Sequence, residues 1–132
     1  MRRLLALALL APLGGCVAAA NGSTAALAGS QWRLLAIDGD AAARPSNHLK
    51  FDRATLSASV GCNSLGGNYR VEGQRLIAGP LIQTEMYCEG PIWGQEQALS
   101  ALLVGAPRME LAERRLTLVS RGHRAEFVRL PG

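Results

Sequence analysis

The sequence predicts a small α+β domain, mostly β: an antiparallel meander curled into a barrel-like sheet with one helix packed on it. Three observations carry this. Short runs of alternating apolar and polar residues recur between Gly, Asn and Pro punctuation, the pattern of half-buried strands. Only residues 91–104 have both a helix start and a helix stop, with Pro91 suited to the first helical position and Gly105 to the end. Runs that follow one another so closely favour antiparallel neighbours, and curling such a sheet removes its exposed edges. A chain of 132 residues has room for one core, and with aromatics at 5% that core is aliphatic.

The N-terminus is an address rather than part of the fold. Met1, Arg2 and Arg3 form a basic start, and residues 4–13 are apolar, interrupted only by Pro12. The run is far shorter than the roughly 20 residues that span a bilayer, so residues 1–15 are a signal peptide. It ends in Leu13-Gly14-Gly15-Cys16, which resembles the bacterial lipobox. Small residues let the peptidase reach the backbone, and the Cys16 thiolate takes the lipid. Several acyl chains on one cysteine anchor firmly. Val17 stands where an Asp would retain the lipoprotein in the inner membrane, so the expected place is the outer membrane, facing the periplasm. Residues 16–29 are the lipidated cysteine and a flexible tether reaching roughly 20 Å, and the folded domain is residues 30–132.

Within the domain the first strand candidate is residues 31–37, opened by Trp32, before an Asp38-Gly39-Asp40 turn. Residues 41–47 form a loop containing Pro45. Residues 48–52 alternate with Leu49 and Phe51 on one face, and residues 56–62 with Leu56, Ala58, Val60 and Cys62. Residues 63–67 are expected as a loop with positive-φ positions, with Asn63 and Asn68 as turn residues. Residues 68–71 and 74–78 then make a hairpin, Gly79-Pro80 breaks the run, and residues 81–86 continue extended toward Cys88. After the helix come a strand at 108–111 and a hairpin of 116–119 with 124–130 around Arg121-Gly122. Met86 and Tyr87 could contact a partner, but core packing is the favoured reading.

Glu96 falls inside the helix's apolar stripe of Ile92, Leu99, Leu102 and Leu103. A carboxylate there is costly unless bonded. It either reaches water at the rim or accepts backbone N–H groups from the 61–67 loop or the Thr84 hydroxyl.

Composition excludes several function classes. The formal charge is +4, and removing Arg2 and Arg3 leaves 12 basic against 10 acidic residues, a net of +2. The remaining arginines are scattered, without the basic face or interleaved aromatics that nucleic acid requires. His48, Cys62, Cys88 and His123 contain no closely spaced ligand pair, so neither a metal site nor thiol catalysis is expected. There is no phosphate-binding glycine loop, no placeable carboxylate pair, and no cofactor is implied. With Cys16 lipidated, Cys62 and Cys88 remain as an even pair in an oxidising compartment, which favours a disulfide over two buried thiols.

Taken together, these residues resemble the META domain (HslJ-like) family of heat-shock and envelope lipoproteins. The matching positions are Trp32, then Gly61-Cys62-Asn63, Gly67 with Tyr69, Gly73 with Leu76, Thr84-x-Met86-x-Cys88, helical Glu96, and the closing Leu116, Leu118 and Phe127. Gly94-Gln95 is a departure that weakens the start of the helix. The resemblance implies a β-rich envelope domain with one helix and no known catalysis. The expected function is a non-enzymatic, lipid-anchored, monomeric periplasmic domain that binds an envelope protein or stabilises the envelope under stress. The alternatives are a lipocalin-like small-ligand carrier, or an inhibitor of a secreted hydrolase presenting residues 41–47 or 63–67.

Overall fold

The structure, a computed structural model, describes residue 11 and residues 24–132. The signal peptide, Cys16 and most of the tether therefore lie outside the described residues. Among those described, no helix is long and apolar enough to cross a membrane.

A single helical turn, α1 (Thr24–Leu27), precedes β1 (Gln31–Ile37), a short β2 (Asp40–Ala41), β3 (His48–Phe51) and β4 (Thr55–Ser59). The long hairpin β5 (Leu65–Glu72) and β6 (Arg75–Gln83) leads into helix α2 (Gly90–Val104). Strands β7 (Arg108–Leu111), β8 (Arg115–Ser120) and β9 (His123–Arg129) complete the chain. Every pairing is antiparallel, in the order β1-β3-β4-β5-β6-β7-β8-β9, and β9 pairs back onto β1. This closes an eight-stranded barrel, and β2 hangs on β1 as an extra strand. The predicted fold class is the one observed.

Alternation does the sorting. In β3, Leu49 and Phe51 point inward while His48 and Lys50 face water. Inward residues of the strands, Trp32, Phe51, Leu76, Leu116 and Phe127 among them, meet Leu99, Leu102 and Leu103 of α2. Phe51 and Tyr69 pack edge to face at 5.0 Å. Among the described residues the barrel interior is thus a filled core.

The ordered elements begin before Ser30. Leu27, the one large apolar residue late in the small-residue run, is 0% exposed in the core. Thr24 Oγ1 accepts the Val71 N–H at 2.9 Å, and the Gly29 N–H reaches Phe51 O at 2.8 Å. Residues 24–29 are therefore part of the domain rather than tether, because one leucine and a few backbone bonds suffice to seat them.

The 63–67 loop is also corrected. Leu65, Gly66 and Gly67 belong to β5, and neither glycine has positive φ. Gly67 is required by close approach, since a Cβ there would run into the Pro80 carbonyl oxygen. Gly79-Pro80 does not break the strand. β6 passes through this cis bond as an irregularity, the pairing stepping from Gly67↔Leu81 to Tyr69↔Ala78. Gly67→Ala is expected to cost about 1–3 kcal/mol by forcing backbone apart, read as a lower urea midpoint. An unmoved midpoint would count against the close approach.

Two tight turns meet where the barrel closes. Asp38 (φ 52°) with Gly39 and Arg121 (φ 50°) with Gly122 are two-residue hairpin turns with both central φ positive. Asp38 accepts Arg124 N–H at 2.8 Å and lies 2.6 Å from His123 Nδ1. Burial raises the Asp38 pKa, but the bonds from His123 and Arg124 and the His123 charge outweigh it, leaving the group below its ordinary value. Its stabilising effect is present above the unfolded-state value of about 3.9 and is lost as pH falls through the lower folded value. Melting temperature is expected to fall more steeply below about pH 4 in the parent than in Asp38→Asn. Parallel acid limbs would exclude the effect.

Candidate functional site

Seven of the residues singled out in the sequence converge at one end of the barrel. The turn after β4 brings Gly61, Cys62 and Asn63 under the first turns of α2. Gly61 makes this possible, since a Cβ there would sit 2.9 Å from both Ile92 O and Glu96 Cβ. Glu96 is 2% exposed and Asn63 3%. Glu96 Oε1 accepts the Asn63 backbone N–H at 2.5 Å, and Oε2 accepts Asn63 Nδ2 at 2.8 Å. Of the two readings of Glu96, the buried acceptor is the one observed, with Asn63 rather than Thr84 as its donor.

Asn63 is a hub rather than a simple turn residue. Its Oδ1 accepts the Met86 N–H at 2.7 Å and the Thr84 hydroxyl at 2.9 Å. Its Nδ2 donates to Met86 O at 2.8 Å as well as to Glu96. Both amide protons and both acceptor sites are used, which fixes the amide's orientation. The side chain pairs with the Met86 peptide much as a neighbouring strand would. Thr84 Oγ1 also accepts the Ser64 N–H at 3.1 Å. Arg44 holds the same turn from outside, through Gly61 O at 2.5 Å and Ser59 Oγ at 3.2 Å. A disulfide joins Cys62 to Cys88 with Cα atoms 6.4 Å apart.

The segment 84–89 so held has no regular structure. Sequence reasoning extended the strand to residue 86, whereas β6 ends at Gln83. It also favoured the core for Met86 and Tyr87, yet they are 58% and 76% exposed. The correction has a simple cause. Met86 spends its backbone on Asn63, and that turns its side chain out.

The other motif residues lie elsewhere and are structural. Trp32 is in the core with Nε1 bonded to Ser30 Oγ at 2.7 Å. Tyr69 donates its hydroxyl to Asp52 O at 2.6 Å, and burial with the nearby Asp52 charge pushes its pKa up. Among the described residues no three His, Cys, Asp or Glu side chains come together as a metal set.

Two grooves flank α2. The larger, about 540 Å³, runs between the Asp38–Ala41 turn and Gly94, Gln95 and Ala98. Its polar lining is largely occupied: Asp38 by His123 and Arg124, and Gln95 by Ala41 O and Ala43 N–H, both at 2.8 Å. Gln95 was missed in the sequence, and its signal is the same as that of Glu96, a polar side chain beside an apolar stripe. The smaller groove, about 390 Å³, opens above the hub between residues 83–87 and Trp93. Tyr87 and Trp93 form one of its walls, with ring centroids 5.5 Å apart. It joins exposed aromatic surface to the braced segment, and is the candidate functional site.

Solved structures share this architecture. One from Burkholderia xenovorans, determined by NMR, is 27% identical, with 93% of this chain and 99% of that chain covered and a TM-score of 0.68. A second NMR structure, at 20% identity, covers 80% of this chain and 92% of the other with a TM-score of 0.69. A crystal structure of a DUF4847 family protein from Bacteroides vulgatus has the fold at 12% identity, over 80% of this chain and 95% of that chain, with a TM-score of 0.56. No curated protein has a matching sequence. The META domain family model matches residues 25–132, from the second residue of α1 through the hub to the last residue, and the chain belongs to the META domain family.

Proposed function

We propose that this chain is a non-enzymatic, lipid-anchored periplasmic domain of the outer membrane that docks to another envelope component through the face that carries Met86 and Tyr87. One observation carries this. The 84–89 backbone is locked from beneath by Asn63 and Cys62, while Met86 and Tyr87 are held out in water. Large apolar side chains presented by a rigid backbone are suited to contact.

The position of the chain's entry supports it. Thr24 binds Val71 near the end of β5, and Ser64 binds Thr84 just before its start. The two points are separated by roughly 20 Å of strand. A chain anchored at Cys16 would therefore join the domain at the end of the barrel opposite the aromatic face. The two alternatives fare less well. The filled core argues against a carrier. Residues 41–47 are tied down at Ala41, Ala43 and Asn47, and residues 63–67 lie in the hub and β5, so neither is a protruding inhibitory loop.

A photo-crosslinking side chain at position 87 in living cells tests the face. Discrete adducts are expected from position 87 and none from position 114 at the opposite end. Cys16→Ser is expected to lose the lipid and leave the membrane fraction. Equal labelling from both positions would overturn the docking face, and membrane retention of the serine variant would overturn the anchor.

A further inference from the structure

Granted that the Met86–Tyr87 face is the working surface, we propose that its groove binds a neutral saccharide, stacked on Tyr87 and Trp93 as a unit of an envelope glycan. The lining selects for this chemistry. Two aromatic rings form one wall, Gln83, Glu85 and Gln97 supply amide and carboxylate groups around it, and Thr84 belongs to the floor. No basic side chain lines the groove, so nothing compensates an anionic ligand, and Glu85 repels one. A wholly apolar ligand would desolvate Glu85, Gln83 and Gln97 without replacing their hydrogen bonds. A sugar ring satisfies both walls. Its C–H face covers an aromatic ring, and its rim of hydroxyls both donates and accepts.

The rest of the groove is prepared for that task. Its floor is rigid, because Thr84 Oγ1 and the Asn63 amide are saturated by each other, Ser64, Met86 and Glu96. Its rim keeps spare capacity. Gln83 uses only Oε1, accepting from Ser100 Oγ at 3.2 Å, so its NH₂ group remains to donate. Glu85, Gln97, Trp93 Nε1 and the Tyr87 hydroxyl have no hydrogen-bond partner among the described residues. A volume of about 390 Å³ lies at the low end of small-ligand clefts, which suits a mono- or disaccharide unit rather than a lipid. A cationic side chain is the competing occupant, through cation–π contact with the same rings. It would engage one exposed carboxylate and leave the amides of Gln83 and Gln97 unused.

The test uses the full chain in micelles of a detergent without a sugar headgroup. Chitobiose, maltotriose and a Lys-Arg tetrapeptide are titrated to about 10 mM and followed by backbone NMR. Expected are saturable shifts confined to residues 83–87, 93 and 97 with a saccharide and not with the peptide. Tyr87→Ala and Gln97→Ala, both exposed and outside the hub, are each expected to weaken binding about tenfold or more without changing the melting temperature. Sedimentation with purified cell-wall sacculi separates the sources. Retention competed by free chitobiose identifies the glycan strand, and binding of free sugar alone identifies a soluble saccharide. Silence with every saccharide, shifts that survive Tyr87→Ala, or binding of the peptide alone overturns the proposal. Silent titrations together with crosslinks from position 87 would leave the docking face standing and remove only the saccharide, whereas silence in both would remove the face.

Discussion

Asn63→Ala is expected to lower the unfolding free energy by about 3–5 kcal/mol. The substitution deletes both of the side chain's donors and both of its acceptor bonds at once. What remains is worse than what is lost. Glu96 stays buried at 2% exposure, with the Asn63 backbone N–H as its only remaining donor among the described residues. The Met86 N–H and C=O lose their partner together. Leaving a buried carboxylate underbonded costs more than removing a whole network, which is why the asparagine matters more than the glutamate. Glu96→Gln retains a side chain that can still accept from Asn63 and is expected to lose less. Asn63→Asp sets a second carboxylate against Glu96 and is expected to be at least as damaging as alanine at neutral pH. Urea unfolding of the three variants checks the order. A loss for Asn63→Ala under about 1 kcal/mol would mean that water replaces the amide and that the segment 84–89 is not braced by it.

Much of the barrel was legible because its strands have one wet face. Leu49 and Phe51 against His48 and Lys50 state the register of β3 directly, and Arg121-Gly122 marks its hairpin. The helix was legible from Pro91 and Gly105, and Glu96 was conspicuous because it broke a stripe. Legibility failed where a residue's role depends on something distant in sequence. Gly67 reads as a turn residue, but its constraint is the Pro80 carbonyl across the sheet. Met86 reads as core by composition, and only a side chain 23 residues earlier turns it outward. Leu27 looked like part of a featureless run because a single apolar residue has no periodicity. For the candidate site this meant that the motif residues were visible while their result, an exposed aromatic wall on a rigid base, was not.

Removing the Cys62–Cys88 bond is expected to cost about 3.5 kcal/mol, by the entropy of a closed loop of 26 residues. The effect differs in kind from that of Asn63. The disulfide acts mainly on the unfolded chain, whereas the Asn63 amide acts on the folded one. In Cys62→Ala/Cys88→Ala the segment 84–89 is therefore expected to stay in place, its Met86 N–H still protected from exchange by Asn63. In Asn63→Ala the same amide is expected to exchange rapidly although the disulfide is intact. Combining all three substitutions removes both ties between residues 62–63 and 86–88. The segment then opens locally before the barrel melts, so the combined loss is expected to fall short of the sum of the separate ones. Urea unfolding with and without reductant, paired with hydrogen exchange at Met86, reads both effects. Rapid Met86 exchange in the double cysteine variant would show that the disulfide, rather than the asparagine, holds the face in position. Strict additivity in the triple variant would show that the segment unfolds only with the barrel.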